Sequence, residues 1–458
     1  MTNFSAPGKA FLAGGYLVLD PRYPAFTTAL SARIHAVSEH DTSLPDGMAT
    51  VTVRSPQFKH GVWRYTLSRA AGSPVVDVTQ VESPTSSPNP FVFYSVYTVL
   101  NYAQPGALTS LDITIYSDNA YHSQPTPPPG ETLPRFNSHD CRITEANKTG
   151  LGSSAALTTV LTASLLAAYS TLSPTGDRMV LHNLSQIAHC AAQGKVGSGF
   201  DVACAVFGSI RYHRFPVEII SGLDFPNKNP GADPQAFVDA LKHAVNDADW
   251  HIKITPSALP PKLRLMMGDI TGGSETPKMV QTVLAWRKEH PAEAETLWES
   301  LNLANISLTN EIRSLTELAR VNAELYAELM APVAQLTAVE IAGPDFASPL
   351  KAGLVAVIES IKSIRFYLRE LTAKTGAAIE PESQTALLDA CTTLPGVLGG
   401  VVPGAGGYDA ICVVAVEDAF ESIVAATATD PRFKAIKWLD LHEEAAGLVE
   451  EGAEKYSL

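Results

Sequence analysis

Three glycine-rich stretches carry most of the chemistry legible in this chain: Ser5–Tyr16, Lys148–Ala156 and Val402–Asp409. In the middle one, Gly150 and Gly152 free the backbone to turn its N–H groups inward, and an uncharged helical stretch follows at once. Several donors and a helix N-terminus therefore converge on one point, which suits phosphate. The backbone of Gly150, Leu151, Gly152, Ser153, Ser154 and Ala155 would cradle the phosphates of a nucleotide, and the two serine hydroxyls could serve a phosphate oxygen or a divalent cation. Lys148, just before the cradle, is placed to bridge two phosphate groups. Phosphoryl transfer needs positioning and charge neutralisation above all, so a lysine and a carboxylate beside such a cradle suffice. Lys9, after the tight Pro7-Gly8 entry, and Asp201, closing the turn Gly197-Ser198-Gly199-Phe200, are the candidates.

Each feature also has a plainer reading. The glycines from 150 to 152 could make only a strand-to-helix turn, Lys9 could be a solvated lysine, and Asp201 could cap a helix starting near Val202. The third stretch, Gly404-Ala405-Gly406-Gly407, offers more N–H groups but could equally be a glycine-rich hairpin. Two other nucleotide motifs are disfavoured. Gly150–Ala155 fits the dinucleotide fingerprint with Ala in its last place, yet no acidic residue closes a strand roughly 20 residues on. A Walker A loop is absent, because neither Lys148-Thr149 nor Lys374-Thr375 follows a glycine.

The elements that must position these residues belong to a chain of 458 residues, 45% hydrophobic, enough for two or more domains. A net charge of −14 argues against nucleic acid or an anionic membrane as partner, while leaving room for a local basic pocket. Five scattered cysteines without a Cys-x-x-Cys pair point to a reducing compartment and away from zinc. No secretory leader is visible and Lys455–Leu458 falls short of a peroxisomal ending, so the cytoplasm is expected. The uncharged run Thr149–Gly176 is long enough for a membrane span, but its serines, threonines and glycine-rich opening suit a buried helix.

Residues 2 to 54 read as strands and turns, including Tyr16–Leu19 as strand. Phe91–Tyr102 reads as a helix and Leu111–Tyr116 as a strand, with loops at Ser83–Pro90 and Ser123–Pro134. The pattern loosens through Pro226–Pro234, which suggests domains of 1–225 and 226–458. In the second, strand Leu263–Met267, a helical stretch from Pro277 to about Thr375 broken near Ala342–Pro344, and strands at Gly399–Val402 and Ala410–Ala415 predict an α+β unit.

In order and wording the three stretches resemble the GHMP kinases, over Ser5 to Cys412. Gln193–Ala203, Ala13–Asp20 and Gly268–Val280 are most similar to the fungal and plant branch that phosphorylates phosphomevalonate. The resemblance implies a mixed α/β (α+β) fold with an N-terminal ribosomal-protein-S5-like domain and a C-terminal ferredoxin-like domain with extra helices. It implies ATP and Mg²⁺ as cofactors, phosphomevalonate as acceptor with mevalonate as the alternative, and a monomer or homodimer without nucleic-acid or membrane partners. A catalytically silent ligand sensor is the alternative from another class. By resemblance Lys9 and Asp201 act at the reacting centre and Ser154 touches the metal. Tyr16, Gly197, Ser198 and Gly404–Gly407, with Lys9 and Lys148, would line the acceptor side; Ser274 and Thr276 are weaker candidates. The chain departs from the family in one place: many members carry a metal-binding Glu on the helix before the Asp turn, where Ile187–Gln193 holds none. His189 and Cys190 are read there as packing residues, and Arg211, His213 and Arg214 as either acceptor contacts or a solvated strand face.

Overall fold

The computed structural model describes residues 2–41, 49–83, 87–125, 132–270 and 276–456. Its axis is the strand Ala25–His40, almost wholly buried, which pairs antiparallel with Thr2–Ala13 on one side and Leu111–Ser117 on the other. The sheet continues through Ala49–Arg54, parallel to Leu111–Ser117, to Val62–Ser68 and Asp77–Gln80. Burial runs almost unbroken along Thr2–Ala13 and Ala25–His40, so both faces of these strands are covered, and polar residues such as Thr27, Thr28, Arg33 and His35 are buried with the apolar ones. The helix Ser153–Tyr169 lies on Thr2–Ala13 and Ala25–His40, sandwiched by the helices Pro90–Ala103 and Arg178–Gln193. It is the buried helix expected from its composition; among the described residues no helix is long and apolar enough to cross a membrane.

The helix at Pro90–Ala103 and the strand at Leu111–Ser117 form as predicted, the former opened by Asn89, whose side chain accepts the Val92 N–H at 3.4 Å. Tyr16–Leu19 does not: Leu17–Leu19 is a single 3₁₀ turn. Gly14 at φ 104° lies so close to Pro24 and Ala25 that a Cβ would meet Ala25 Cα at 2.8 Å, and Tyr16 follows at φ 62°. Backbone turned in this way leaves the sheet whatever the β-propensity of the side chains. The predicted loops at Ser83–Pro90 and Ser123–Pro134 lie partly outside the described residues.

The packing puts the change of layer later than residue 225. Pro234–Asn246 rests on the first-layer helices, with Asn183 donating to the Val245 carbonyl at 2.9 Å, and Lys253–Pro256 pairs with Ile210–His213. The Pro, Asn and Gly residues of 226–234 mark a surface turn, and turn residues look the same whether or not the chain changes layer. The end of the chain then returns: Glu443–Glu444 pairs with Ala25–His40 and Val449–Glu450 with Thr2–Ala13. Buried His35 anchors this return between Asp118 at 3.5 Å and Glu451 at 3.3 Å. Burial alone would lower its pKa, but the two carboxylates outweigh it and the net shift is upward.

Leu263–Ile270, Val397–Val401, Ala410–Val416 and Ile436–Leu439 form a separate four-stranded antiparallel sheet. Numbered along the chain, the strands stand in the order 2-3-1-4 with helices after the first and third, which is the ferredoxin-like arrangement. The extra helices are Pro291–Val321 and Lys351–Thr375, packed together, and the break expected near Ala342–Pro344 falls where Ala338–Ala342 ends. The two units meet along a cleft bridged by Asp20, which pairs with Arg22 at 2.9 Å and with Arg287 at 2.7 Å.

Candidate active site

The first strand carries Pro7, which has no N–H to give a ladder, and the register shifts between Pro7 and Gly8. That bulge lets the strand dock on the phosphate loop: the Lys9 N–H donates to the Leu151 carbonyl at 2.9 Å and Lys9 Nζ to the Gly150 carbonyl at 2.8 Å. Gly150 and Gly152 have φ of 75° and 78°, and a Cβ on Gly152 would stand 3.0 Å from Lys9 Cγ. Among the described residues, the N–H groups of Gly150, Leu151, Gly152, Ser153 and Ser154 donate to no protein acceptor. Five free donors at the N-terminus of a buried helix are the geometry of an anion site. The cradle is one residue shorter than expected, because the Ala155 N–H donates to the Gly152 carbonyl at 3.1 Å.

Asp201 sits in the first turn of the helix Phe200–Phe207, whose N-cap is Gly199 at φ 85°, so Asp201 is not the cap. Its Oδ1 accepts the Val202 N–H at 3.0 Å. Gly199 admits no side chain: a Cβ would meet Phe215 at 2.6 Å and Tyr212 Oη at 2.8 Å. Burial lowers the pKa of Lys9 and the nearby Asp201 charge pulls it back up, so the two groups act on each other without forming an ion pair. The Lys9 ammonium stands 5.9 Å from the Phe200 ring centre.

Beyond the packing expected of it, His189 has a further part. The side chain is 2% exposed, and its Nε2 lies 3.0 Å from Ser154 Oγ and 3.5 Å from the Gln193 amide nitrogen. With its Nε2 unprotonated, His189 accepts from the Ser154 hydroxyl, whose oxygen lone pairs then point elsewhere. Burial lowers the His189 pKa, in keeping with a neutral ring. Nothing in the sequence signalled this contact, since it joins two helices 35 residues apart. Cys190 is buried and its thiol pKa raised by burial.

The third glycine stretch closes the cleft from the second unit. The Gly406 N–H donates to Pro403 at 3.1 Å and the Gly407 N–H to Ile379 at 2.9 Å, so only Gly404 and Ala405 of the four keep uncommitted N–H groups among the described residues. Gly407 does not line the cavities of the cleft. Tyr16, expected at the acceptor, gives its hydroxyl to the Ala405 carbonyl at 2.7 Å, and Gly15 leaves no room for a Cβ, which would meet the Gly404 carbonyl at 2.8 Å.

Two cavities meet here. One, about 430 Å³, is lined by Lys9, Lys148, the phosphate loop and Asp201; the other, about 540 Å³, by Asp201, Gly197, Ser198, Tyr16 and the cations Lys195, Arg214 and Arg287. Phe11, Phe200, Asp201, Gly404 and Ala405 line both. A third, about 150 Å³ and largely apolar, runs from Lys148, Ser153 and Ser154 to Trp63, Asn89 and Phe91. On its wall burial, then His139 and Lys148, bring the His122 pKa down to about 4. Ser274 and the side chain of Thr276 lie outside the described residues. Arg211 and His213 are half-buried within strand Ile210–His213, which is paired on both sides, whereas Arg214 is buried.

A family model described as the GHMP kinases N-terminal domain matches residues 136–209, the segment from just before the phosphate loop to just past the Asp turn. The phosphomevalonate kinase of Candida albicans is 42% identical over 460 residues, covering 99% of this chain and 98% of its own. A phosphomevalonate kinase of Arabidopsis thaliana described as peroxisomal is 32% identical, covering 90% of each. Among solved structures, the Streptococcus pneumoniae phosphomevalonate kinase in complex with phosphomevalonate and AMPPNP superposes with a TM-score of 0.61, over 97% of this chain and 100% of that one. At 15% identity, that superposition speaks for the fold.

Proposed function

The chain belongs to the phosphomevalonate kinases, a branch of the GHMP kinases, and we propose how its own residues carry the reaction that this membership entails. The enzyme transfers the γ-phosphoryl group of ATP to the phosphate of 5-phosphomevalonate, giving 5-diphosphomevalonate and ADP. A bond forms between an acceptor phosphate oxygen and the γ-phosphorus as the bond to the β–γ bridging oxygen breaks. The observation that supports the assignment of roles is the junction of the two larger cavities at Asp201, with the phosphate loop on one side and a basic wall on the other.

The nucleoside takes the apolar cavity beside Trp63 and Phe91, its polyphosphate the five free N–H groups of 150–154, and the acceptor the basic cavity. Lys148, at the meeting of two cavities, spans the donor phosphates. Lys9, fixed by the Gly150 carbonyl, keeps two further N–H groups for the transferring phosphoryl, where a positioned positive charge stabilises the charge on that group. A phosphate monoester is mostly ionised near pH 7, its second pKa being about 6, so no strong base is needed. Asp201 accordingly orients the acceptor and holds Lys9 charged.

Mg²⁺ fits the residues present: a Ser154 hydroxyl that donates its hydrogen bond to neutral His189 keeps oxygen lone pairs for a hard cation. The absence of a carboxylate in Ile187–Gln193 leaves the ion to Ser154, the ATP phosphates and water. Bound there, it would neutralise charge on the phosphates. We place the reaction in the cytoplasm; microscopy of the tagged full chain distinguishes this from the peroxisome named for the plant relative.

The test is ADP release from Mg-ATP with mevalonate, phosphomevalonate and diphosphomevalonate supplied separately, with product identification. Release with phosphomevalonate alone is expected. Release with mevalonate would move the acceptor assignment to the alcohol, and silence with all three would leave a ligand-binding protein.

A further inference from the structure

Three cations line the acceptor cavity, and they differ in how their charge is balanced. Lys195 is exposed, and Arg287 is paired with Asp20 at 2.7 Å. Arg214 is 8% exposed, and among the described residues no carboxylate lies within ion-pairing distance of it. Its partners are carbonyls: Nη1 donates to Leu19 at 2.7 Å, and Nη2 to Gly197 at 2.8 Å and Val196 at 3.3 Å. Its Nε–H is buried with no acceptor, and one Nη1–H is also uncommitted. Glu218 attracts this guanidinium only from beyond ion-pairing distance. Buried and unable to lose its proton, the guanidinium is costly to the fold, and the cost is relieved when an anion enters the cavity.

The acceptor end that reacts cannot be that anion, because it must lie at Asp201 and Lys9. Arg214 holds the carbonyls of Val196 and Gly197 and the Tyr212 hydroxyl donates to the Ser198 carbonyl at 3.1 Å, so the arginine stands at the start of the turn whose far end leads into Asp201. A substrate with a phosphate at one end and a carboxylate at the other presents its second anion on that side.

Resting on the phosphomevalonate reading, we propose that Arg214, on the wall of the acceptor cavity, binds the acceptor's carboxylate through its uncommitted Nη1–H and so sets the preference for a two-ended anion. The carbonyl contacts fix the guanidinium in place, which limits the ordering needed on binding.

The experiment compares kcat/KM for phosphomevalonate and for its analogue with the carboxylate replaced by a primary amide, in the wild type, Arg214→Lys and Arg214→Met. The wild type is expected to prefer the carboxylate by roughly 10–100-fold, the worth of a charge-assisted contact, and Arg214→Met to lose most of that preference, mainly through KM. Calorimetric binding of a non-hydrolysable ATP analogue reports whether each variant keeps its nucleotide site. Damage to the Gly197 turn alone would slow both substrates equally and leave the preference intact, which overturns the proposal. Equal use of both substrates by the wild type overturns it without any variant. Turnover of neither substrate by the wild type overturns the acceptor reading itself.

Discussion

The two glycine loops that face each other across the cleft are built from nearly the same letters and do different work. At 150–154 five successive N–H groups are free among the described residues, the following helix is buried, and the loop leans on Lys9. At 404–407 two of the four N–H groups are engaged by Pro403 and Ile379, and the loop is held from outside by the Tyr16 hydroxyl. One loop is a set of donors aimed at a ligand; the other is mainly a wall placed by its neighbours. Glycine content therefore reports that backbone must come close to something, while hydrogen-bond accounting tells whether that something is a ligand or the protein itself.

The comparison is broken most severely where both loops face the reacting groups. Asp201→Asn is expected to lower kcat by about 10³-fold, within the range for a residue acting at the transferring group, while calorimetry finds ATP binding retained. Undiminished turnover would remove Asp201 from the reacting centre. Next, Gly152→Ala puts a Cβ at φ 78° against Lys9 Cγ at 3.0 Å, whereas Gly404→Ala, at φ 66°, meets nothing within 4 Å. Misplacing Lys9 should cost about 10²-fold in kcat/KM; Gly404→Ala should cost only backbone strain, about 1–2 kcal/mol, seen as a lower Tm. Equal kinetic losses would mean that both loops act as donors.

Smaller effects sharpen the contrast within each loop. Ser154→Ala should weaken Mn²⁺ binding to the enzyme with ATP analogue about 10-fold, followed by electron paramagnetic resonance. His189→Ala should do the same more mildly, as supporting residues around metal ligands do; retained affinity in the histidine variant would return it to plain packing. Tyr16→Phe removes one hydrogen bond from the wall, about 1 kcal/mol, and should raise the acceptor KM about fivefold while leaving that of ATP alone. An equal rise in both would show that Tyr16 serves the whole cleft.

Much of this was legible before any coordinates. The helix Pro90–Ala103, the strand Leu111–Ser117, the buried helix after the phosphate loop and the strand-helix-strand order of the second unit follow from periodicity and capping, which are local. Lys9, Ser154 and Asp201 do stand around one cavity system. The failures share a cause. Tyr16–Leu19 leaves the sheet because Gly14 is pressed against Ala25, and residues 226–256 stay in the first layer because of partners at 90–103 and 178–213.

By itself the sequence determined the chemistry on offer and the family to which it belongs: where backbone could turn to hold phosphate, which lysine and carboxylate could serve it, and that no carboxylate precedes the Asp turn. Only the tertiary structure decided which N–H groups remain free among the described residues, that His189 meets Ser154, that Tyr16 latches the far loop, and that Arg214 is buried with no described carboxylate in ion-pairing distance. The physical reason is that dihedral freedom, helix periodicity and side-chain chemistry belong to neighbouring residues, whereas hydrogen-bond satisfaction and charge balance depend on groups brought together across the fold.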